Sequence, residues 1–250
     1  MMEPLIELKN VSKRFGGITA LQSASMHINK GEVVGLIGDN GAGKSTLIKT
    51  LVGVHSPDEG KILIKGLEIK GWSTSKARDA GIETVFQDRA LCPQQSICWN
   101  IFMGKELRYP LGFLRVKEQL REANKLIREI GFTSKLINAN SPVGNLSGGE
   151  RQGVAIARAI YNNAELIILD EPTTALSLME TQKVFDFVNN VKASSKSVLF
   201  IGHNIYHVYD ISDRFIVLDR GEVVHQLDKS EVKSPEELMK VMKDAVDKHE

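Results

Sequence analysis

Glu32-Val33-Val34-Gly35-Leu36-Ile37 runs without a break into Gly38-Asp39-Asn40-Gly41-Ala42-Gly43-Lys44-Ser45, and the junction of these two stretches decides the fold. The first is a short apolar run ending in glycine, the pattern of a buried strand. The second fits G-x-x-x-x-G-K-[ST], and Lys44 to Val52 reads as a helix stopped by Gly53. Glycines in such a turn let backbone N–H groups point inward around phosphate oxygens, and the helix N-terminus adds partial positive charge. Lys44 is placed to reach the β- and γ-phosphates of a nucleotide. The Ser45 hydroxyl is placed to ligate Mg²⁺. A glycine-rich turn by itself binds nothing in particular; the strand before it and the helix after it make this one a phosphate cradle.

Outward from this junction, the N-terminal side reads as short strands and turns. Leu5 to Val11 alternates, Ala24 to Ile28 is strand-like, and Asn29-Lys30-Gly31 marks a turn. Ser56-Pro57-Asp58-Glu59-Gly60 is another turn, after which Lys61 to Ile64 resumes a strand. The middle changes period: Val116, Leu120, Ala123, Ile127 and Ile130 recur at helical steps, and Gly131 follows. Leu166 to Leu169 and Val198 to Ile201 are fully apolar strands. Phe215 to Leu218 and Glu222 to Leu227 flank Asp219-Arg220-Gly221 as a hairpin. Ser234-Pro235-Glu236-Glu237 supplies a cap, a first-turn proline and first-turn acids for a C-terminal helix over roughly 235–249. Strands alternating with helices predict an α/β core with a parallel-rich sheet. One unit over 1–250 is expected, with an antiparallel β subdomain at its start and a helical subdomain over roughly 88–160.

Composition excludes several classes. The chain has 250 residues, 42% hydrophobic and 25% charged, which is ordinary for a globular protein with a sizeable core. Its 32 basic and 31 acidic residues leave a net charge of +1, so no nucleic-acid partner is expected. No apolar run reaches the roughly 18–20 residues of a membrane span, and MMEPLIELKN lacks the make-up of a signal peptide. A cytoplasmic location is expected. Cys92 and Cys98 have neither metal nor redox spacing and read as reduced packing residues.

Further chemistry gathers at strand ends. Leu166-Ile167-Ile168-Leu169 runs into Asp170-Glu171. Asp170 is placed to hold the metal shell beside a phosphate cradle, and Glu171 to accept a proton from the attacking water. His203 follows the strand ending in Ile201-Gly202, within reach of a phosphate pocket at the carboxyl ends of the strands. Gln87, after Glu83-Thr84-Val85-Phe86, is a strand-end glutamine able to touch Mg²⁺ or the water. Leu146-Ser147-Gly148-Gly149-Glu150-Arg151-Gln152 precedes an apolar-rich helix, so Ser147, Gly148 and Gly149 make a second phosphate-binding surface. Two such surfaces in one chain are economically explained if the second serves the nucleotide of a neighbouring copy.

Taken together, these segments resemble the ABC ATPases over almost the whole chain. The resemblance implies a P-loop NTPase core, with LSGGE carried on the helical subdomain, and ATP and Mg²⁺ as cofactors. It makes Gly38 to Thr46 the Walker A residues, Asp170 and Glu171 the Walker B acid and catalytic base, Gln87 the Q-loop and His203 the switch histidine. Phe15, in Lys13-Arg14-Phe15-Gly16-Gly17, matches the aromatic that stacks on adenine. It also implies a second ATPase domain paired head to tail on ATP binding as a homodimer, with ATP held between one Walker A and the other LSGGE. The finer likeness is to monosaccharide importers of the ribose, xylose and fructose kind, through KRFGGITAL, NIFMGKE, RQGVAIARA, DEPTTALS and IGHNIYHVY. That likeness implies an integral membrane permease, an extracytoplasmic sugar-binding protein acting through it, and a peripheral place on the inner face of the cell membrane. Branched-chain amino-acid importers share KRFGGITAL, so another small solute stays open. Soluble members acting on nucleic acid or ribosomes carry long coiled coils or paired domains that this sequence lacks. Ser177 stands where the family usually has aspartate after Ala-Leu, and Asp88 to Trp99 departs from the usual pattern.

Overall fold

The computed structural model describes residues 4–85 and 90–247. Two long strands open the chain, β1 (Pro4–Phe15) and β2 (Ile18–Asn29), followed by β3 (Val33–Ile37) and helix α1 (Lys44–Leu51). Then come β4 (Glu59–Ile64), β5 (Leu67–Glu68), α2 (Thr74–Asp79) and β6 (Ile82–Val85). Between β6 and the next strand lie α3 (Ile97–Phe102), α4 (Val116–Glu129) and α5 (Gly148–Tyr161). The last third alternates: β7 (Leu166–Asp170), α6 (Leu178–Ala193), β8 (Ser197–Ile201), α7 (Ile205–Ile211), β9 (Arg214–Asp219), β10 (Glu222–Asp228) and α8 (Pro235–Asp247).

The strands form two sheets. One is antiparallel, in the order β2-β1-β4-β5. The other runs β10-β9-β3-β8-β7-β6, parallel except for its edge strand β10. This is the expected fold class, and the reason is visible in the strands. Every residue of β3 and β8 is buried, as a parallel sheet covered on both faces requires. Alternate side chains then feed two cores. Val33, Ile37, Ile167, Leu169 and Phe200 face the helices α3 to α7, whereas Val34, Leu36, Ile168, Leu199 and Ile201 meet α1 and the antiparallel sheet.

Element ends differ from the sequence expectation for local reasons. Strands β1 and β2 outrun the alternating stretches because the ladder shifts register at Asn10 and Ser23, both at positive φ (49° and 46°). The alternation breaks there although the pairing continues. On α4, Ala123, Leu126 and Ile127 are buried against the helical core, so the periodic stripe packs on its own chain. The Ser234 hydroxyl accepts the Glu237 amide at 3.2 Å at the start of α8. Residues 248 and 249 of the expected C-terminal helix, and Gln87 with its neighbours 86, 88 and 89, lie outside the described residues.

Candidate active site

The loop between β3 and α1 folds back on itself through the Ala42 amide, which donates to the Asp39 carbonyl at 3.1 Å. Gly43 closes it at φ +102°, and a Cβ there would lie 2.7 Å from the Ala20 carbonyl oxygen. Only glycine satisfies both the backbone and the space. The next residue, Lys44, begins α1 with its side chain buried, and its ammonium donates to the carbonyls of Gly38 at 2.6 Å and Asp39 at 2.9 Å. Burial lowers its pKa, opposed by the charges of Glu171, Asp39 and Asp170. A partly desolvated ammonium hydrogen-bonded to two neutral carbonyls gains from a further anionic partner.

Strand β7 delivers the carboxylates. Asp170 is its last residue, paired in register with Ile201 of β8. Burial is the main reason its pKa is raised, with the adjacent Glu171 charge adding to it and Lys44 opposing. Glu171 turns the chain out of the strand at φ +50°, a backbone costing a non-glycine residue about 1–2 kcal/mol. Its amide donates to the Ile201 carbonyl at 3.0 Å, which holds that turn in place. His203 comes off the neighbouring strand, and its Nε2 lies 2.5 Å from Glu171 Oε1. The Thr174 hydroxyl donates to the second oxygen, Oε2, at 3.2 Å. Both carboxylate oxygens are thus oriented.

These groups converge. A cavity of about 470 Å³ is lined by Lys44, Ser45, Thr46, Glu171 and His203, together with Asp39, Asn40, Gly41 and Gly43 of the loop. Its volume suits a small organic ligand. Gly38, Ala42, Asp170 and Phe15 are not part of this lining. Phe15 stands at the end of β1 with 43% of its surface exposed, edge-on to His55 at 5.0 Å between ring centroids.

The Ser147 to Gly149 segment is also outside that cavity. Ser147 caps α5: its hydroxyl accepts the Glu150 amide at 3.3 Å, and Glu150 Oε2 accepts the Ser147 amide at 2.9 Å. Gly148 and Gly149 are buried against the start of α6. The Gly148 amide donates to Glu180 Oε1 at 2.6 Å, and a Cβ on Gly149 would lie 2.7 Å from the Glu180 carbonyl oxygen. Ser177 caps α6 in a second reciprocal box with Glu180. Ser177 was noted in the sequence as a departure from a family pattern, yet Ser177 and Glu180 spell out that box.

Sequence reading missed Ile18, Thr19, Ala20 and Arg220, which also line the cavity. A second cleft of about 350 Å³ lies beside β6, lined by Glu83, Met103, Lys105 and Arg158 among others, with Ala90 and Gly104 of the segment before α4. Neither lining is legible in full from local sequence, since each is made where segments distant in sequence meet.

Comparison with known proteins agrees with this geometry. Residues 21–174 match the family model described as ABC transporter. The xylose/arabinose import ATP-binding protein XylG of Sulfolobus acidocaldarius is 45% identical over 241 residues, covering 96% of this chain and 94% of that protein. A ribose import ATP-binding protein RbsA of Caldanaerobacter subterraneus subsp. tengcongensis is 36% identical over 96% of this chain. The chain spans about half the length of that relative, 48%. Among solved structures, a dimeric ATP-binding cassette in a post-hydrolysis state with ADP and Pi superposes with a TM-score of 0.73. It shares 28% identity and covers 90% of this chain and 98% of its own.

Proposed function

The chain belongs to the ABC transporter family, and from that premise we propose that it binds Mg·ATP at Lys44 and hydrolyses it to drive import of a monosaccharide. The observation that carries the proposal is the meeting of Lys44, Ser45, Glu171 and His203 on one cavity. Phosphate oxygens replace the carbonyls of Gly38 and Asp39 as partners of the Lys44 ammonium, while loop amides and the α1 N-terminus take the remaining charge. Glu171 accepts the proton of the attacking water. His203 and Thr174 hold its carboxylate in the orientation this needs.

The donors beside the cavity fit Mg²⁺. Ser45 and Asp170 offer hard oxygen ligands, and the ion is usually held by one or two carboxylates completed by substrate phosphates and water. Among the described residues no cluster of three or more His, Cys, Asp or Glu could hold a metal ion. The ion would neutralise charge on the β- and γ-oxygens. Gln87 joins it or the water, and Phe15 stacks on adenine; both assignments rest on the family pattern. Ser147, Gly148 and Gly149 hold the γ-phosphate bound to a second copy, so ATP binding closes a homodimer.

No helix among the described residues is long and apolar enough to cross a membrane. As the subunit of an importer it works with a permease, which docks beside the Gln87 to Gly104 segment; Ala90, Met103 and Gly104 of that segment line the cleft beside β6. An extracytoplasmic sugar-binding protein feeds that permease from the other side, and this subunit sits on the inner face, with no nucleic-acid partner. The unit is a single ATPase domain over 1–250, with its helical subdomain over roughly 88–160. The similarity to xylose/arabinose and ribose import proteins supports a monosaccharide over a branched-chain amino acid.

Uptake of labelled pentoses, hexoses and branched-chain amino acids by cells with and without the gene tests the reading, alongside MgATP hydrolysis by the purified protein. Loss of uptake confined to a sugar is expected. Loss confined to an amino acid moves the substrate class, and absence of ATP turnover ends the motor reading.

A further inference from the structure

Arg220 occupies the turn between β9 and β10, and that turn is pinned against the phosphate-binding loop. The Gly221 amide donates to the Ala42 carbonyl at 2.8 Å, and the Gly221 carbonyl accepts the Gln22 amide of β2 at 2.9 Å. A Cβ on Gly43 would meet Gly221 Cα at 3.3 Å, so the turn packs on the residue that precedes Lys44. Arg220 holds φ +43°, the left-handed backbone that so tight a connection between antiparallel strands imposes. Its side chain is exposed on the cavity wall, with Ile18, Thr19 and Ala20 of β2 lining the same cavity. Because the turn is hydrogen-bonded to two different elements, the backbone from which this side chain extends is fixed by the fold.

We propose that Arg220 is a nucleotide-binding residue whose guanidinium takes a phosphate oxygen that Lys44 and the loop amides do not. The inference rests on the ATP-binding reading above. The charge of the wall argues for it: the lining carries two carboxylates, Asp39 and Glu171, against two basic side chains, Lys44 and Arg220. Without Arg220 that wall is net negative and faces a polyanion. Guanidinium is always charged and offers a planar fork of donors matched to phosphate oxygens. It acts from the hairpin, independently of the helix that carries Lys44, and it belongs to the protomer's own site whether or not a second copy closes over it.

Calorimetry of MgATP and MgADP binding to the monomer tests this with Arg220→Gln and Arg220→Lys. Arg220→Gln is expected to weaken both nucleotides about 5- to 30-fold, the scale of one charge-assisted contact at an exposed position. Arg220→Lys should recover part of the loss, and added salt should narrow the gap between wild type and Arg220→Gln. The urea midpoint without nucleotide should be the same in all three proteins. Equal affinities in wild type and Arg220→Gln overturn the assignment, as does a loss that only follows a lowered urea midpoint and is not relieved by lysine. If the wild-type protein binds neither nucleotide, the ATP-binding reading falls first and takes this one with it.

Discussion

Glu180 Oε1 accepts the Gly148 amide at 2.6 Å, so one carboxylate joins the start of α6 to the start of α5. Its other oxygen accepts the Ser177 amide at 3.0 Å and hydroxyl at 2.9 Å. Through these bonds the segment that leaves Glu171 is tied to the glycines of the LSGGE segment. In the head-to-tail dimer proposed above, the first would serve a protomer's own nucleotide and the second its partner's.

Replacing Glu180 by alanine removes a helix cap and a charge-assisted bond together, and should lower stability by about 1–3 kcal/mol. Glu180→Gln, which keeps an acceptor, should cost less than half as much. The amide and hydroxyl of Ser177, then the amide of Gly148, hold the Glu180 carboxyl below the ordinary glutamate range. A carboxyl depressed on folding contributes stability above its unfolded pKa and loses it as pH falls through the folded one. Urea denaturation should therefore show the alanine penalty in full at neutral pH and see it shrink in acid. A penalty that grows as pH falls would contradict the contact.

The buried pair Arg214–Glu32 should be a much larger contributor. Arg214 Nη2 lies 2.8 Å from Glu32 Oε1, with only 7% and 15% of the two side chains exposed, and the same arginine donates to the His27 carbonyl and to Gln226. It locks β9 to the start of β3 and to β2, which together carry one side of the cavity. Glu32→Ala leaves the guanidinium buried without its counter-charge, at an expected cost of about 3–5 kcal/mol. Pairing it with Arg214→Met should restore a large part of that loss in the same denaturation series. A single-mutant cost below about 1 kcal/mol would mean that water or neighbours already satisfy the arginine.

What the sequence made legible follows from how local each signal was. Lys44, Asp170, Glu171 and His203 each end or follow a fully apolar strand, and strands of one parallel sheet bring their carboxyl ends to one edge. Helices α2, α3 and α7 have six or seven residues, too few turns to show a period. The longer α6 carries its capping box, Ser177 with Glu180, in its own sequence, where the serine that departs from the family pattern is the residue that helix capping requires. Arg220 was recognisable only as part of a turn. That it faces the cavity depends on β9 lying beside β3, which is topology. Asn100 escaped notice for a similar reason. It is fully buried and bonds to the Cys92 amide and to the carbonyls of Cys92, Gln95 and Ser96, shaping the loop before α3.

Lys44→Ala should weaken MgATP binding by one to a few orders of magnitude, since contacts to charged groups are worth about 1.5–3 kcal/mol each and every 1.4 kcal/mol is tenfold. The fold should tolerate the change, because the ammonium that is lost is itself desolvated and its hydrogen bonds among the described residues go to the Gly38 and Asp39 carbonyls of its own loop. Calorimetry decides the first point and circular dichroism the second. ATP affinity equal to wild type would remove the loop from the nucleotide site.

Glu171→Gln joins the proposed base to the proposed dimer. The substitution keeps the size of the side chain and its bond with Thr174, but the amide no longer accepts a proton from water. Loss of a general base typically slows turnover about 10²- to 10⁴-fold, whereas Lys44 and Asp170 remain to bind Mg·ATP. ATP should then persist. If Ser147 and Gly149 of one copy hold the γ-phosphate bound to the other, persistence traps a dimer that light scattering resolves from the nucleotide-free monomer. Adding Ser147→Arg puts bulk at the start of α5, outside the lining of the protomer's own cavity. That double variant should bind ATP and stay monomeric. A Glu171→Gln protein that binds ATP tightly and remains monomeric at high concentration would count against the head-to-tail site, and the buried glycines of the LSGGE segment would then serve only to seat α5 on α6.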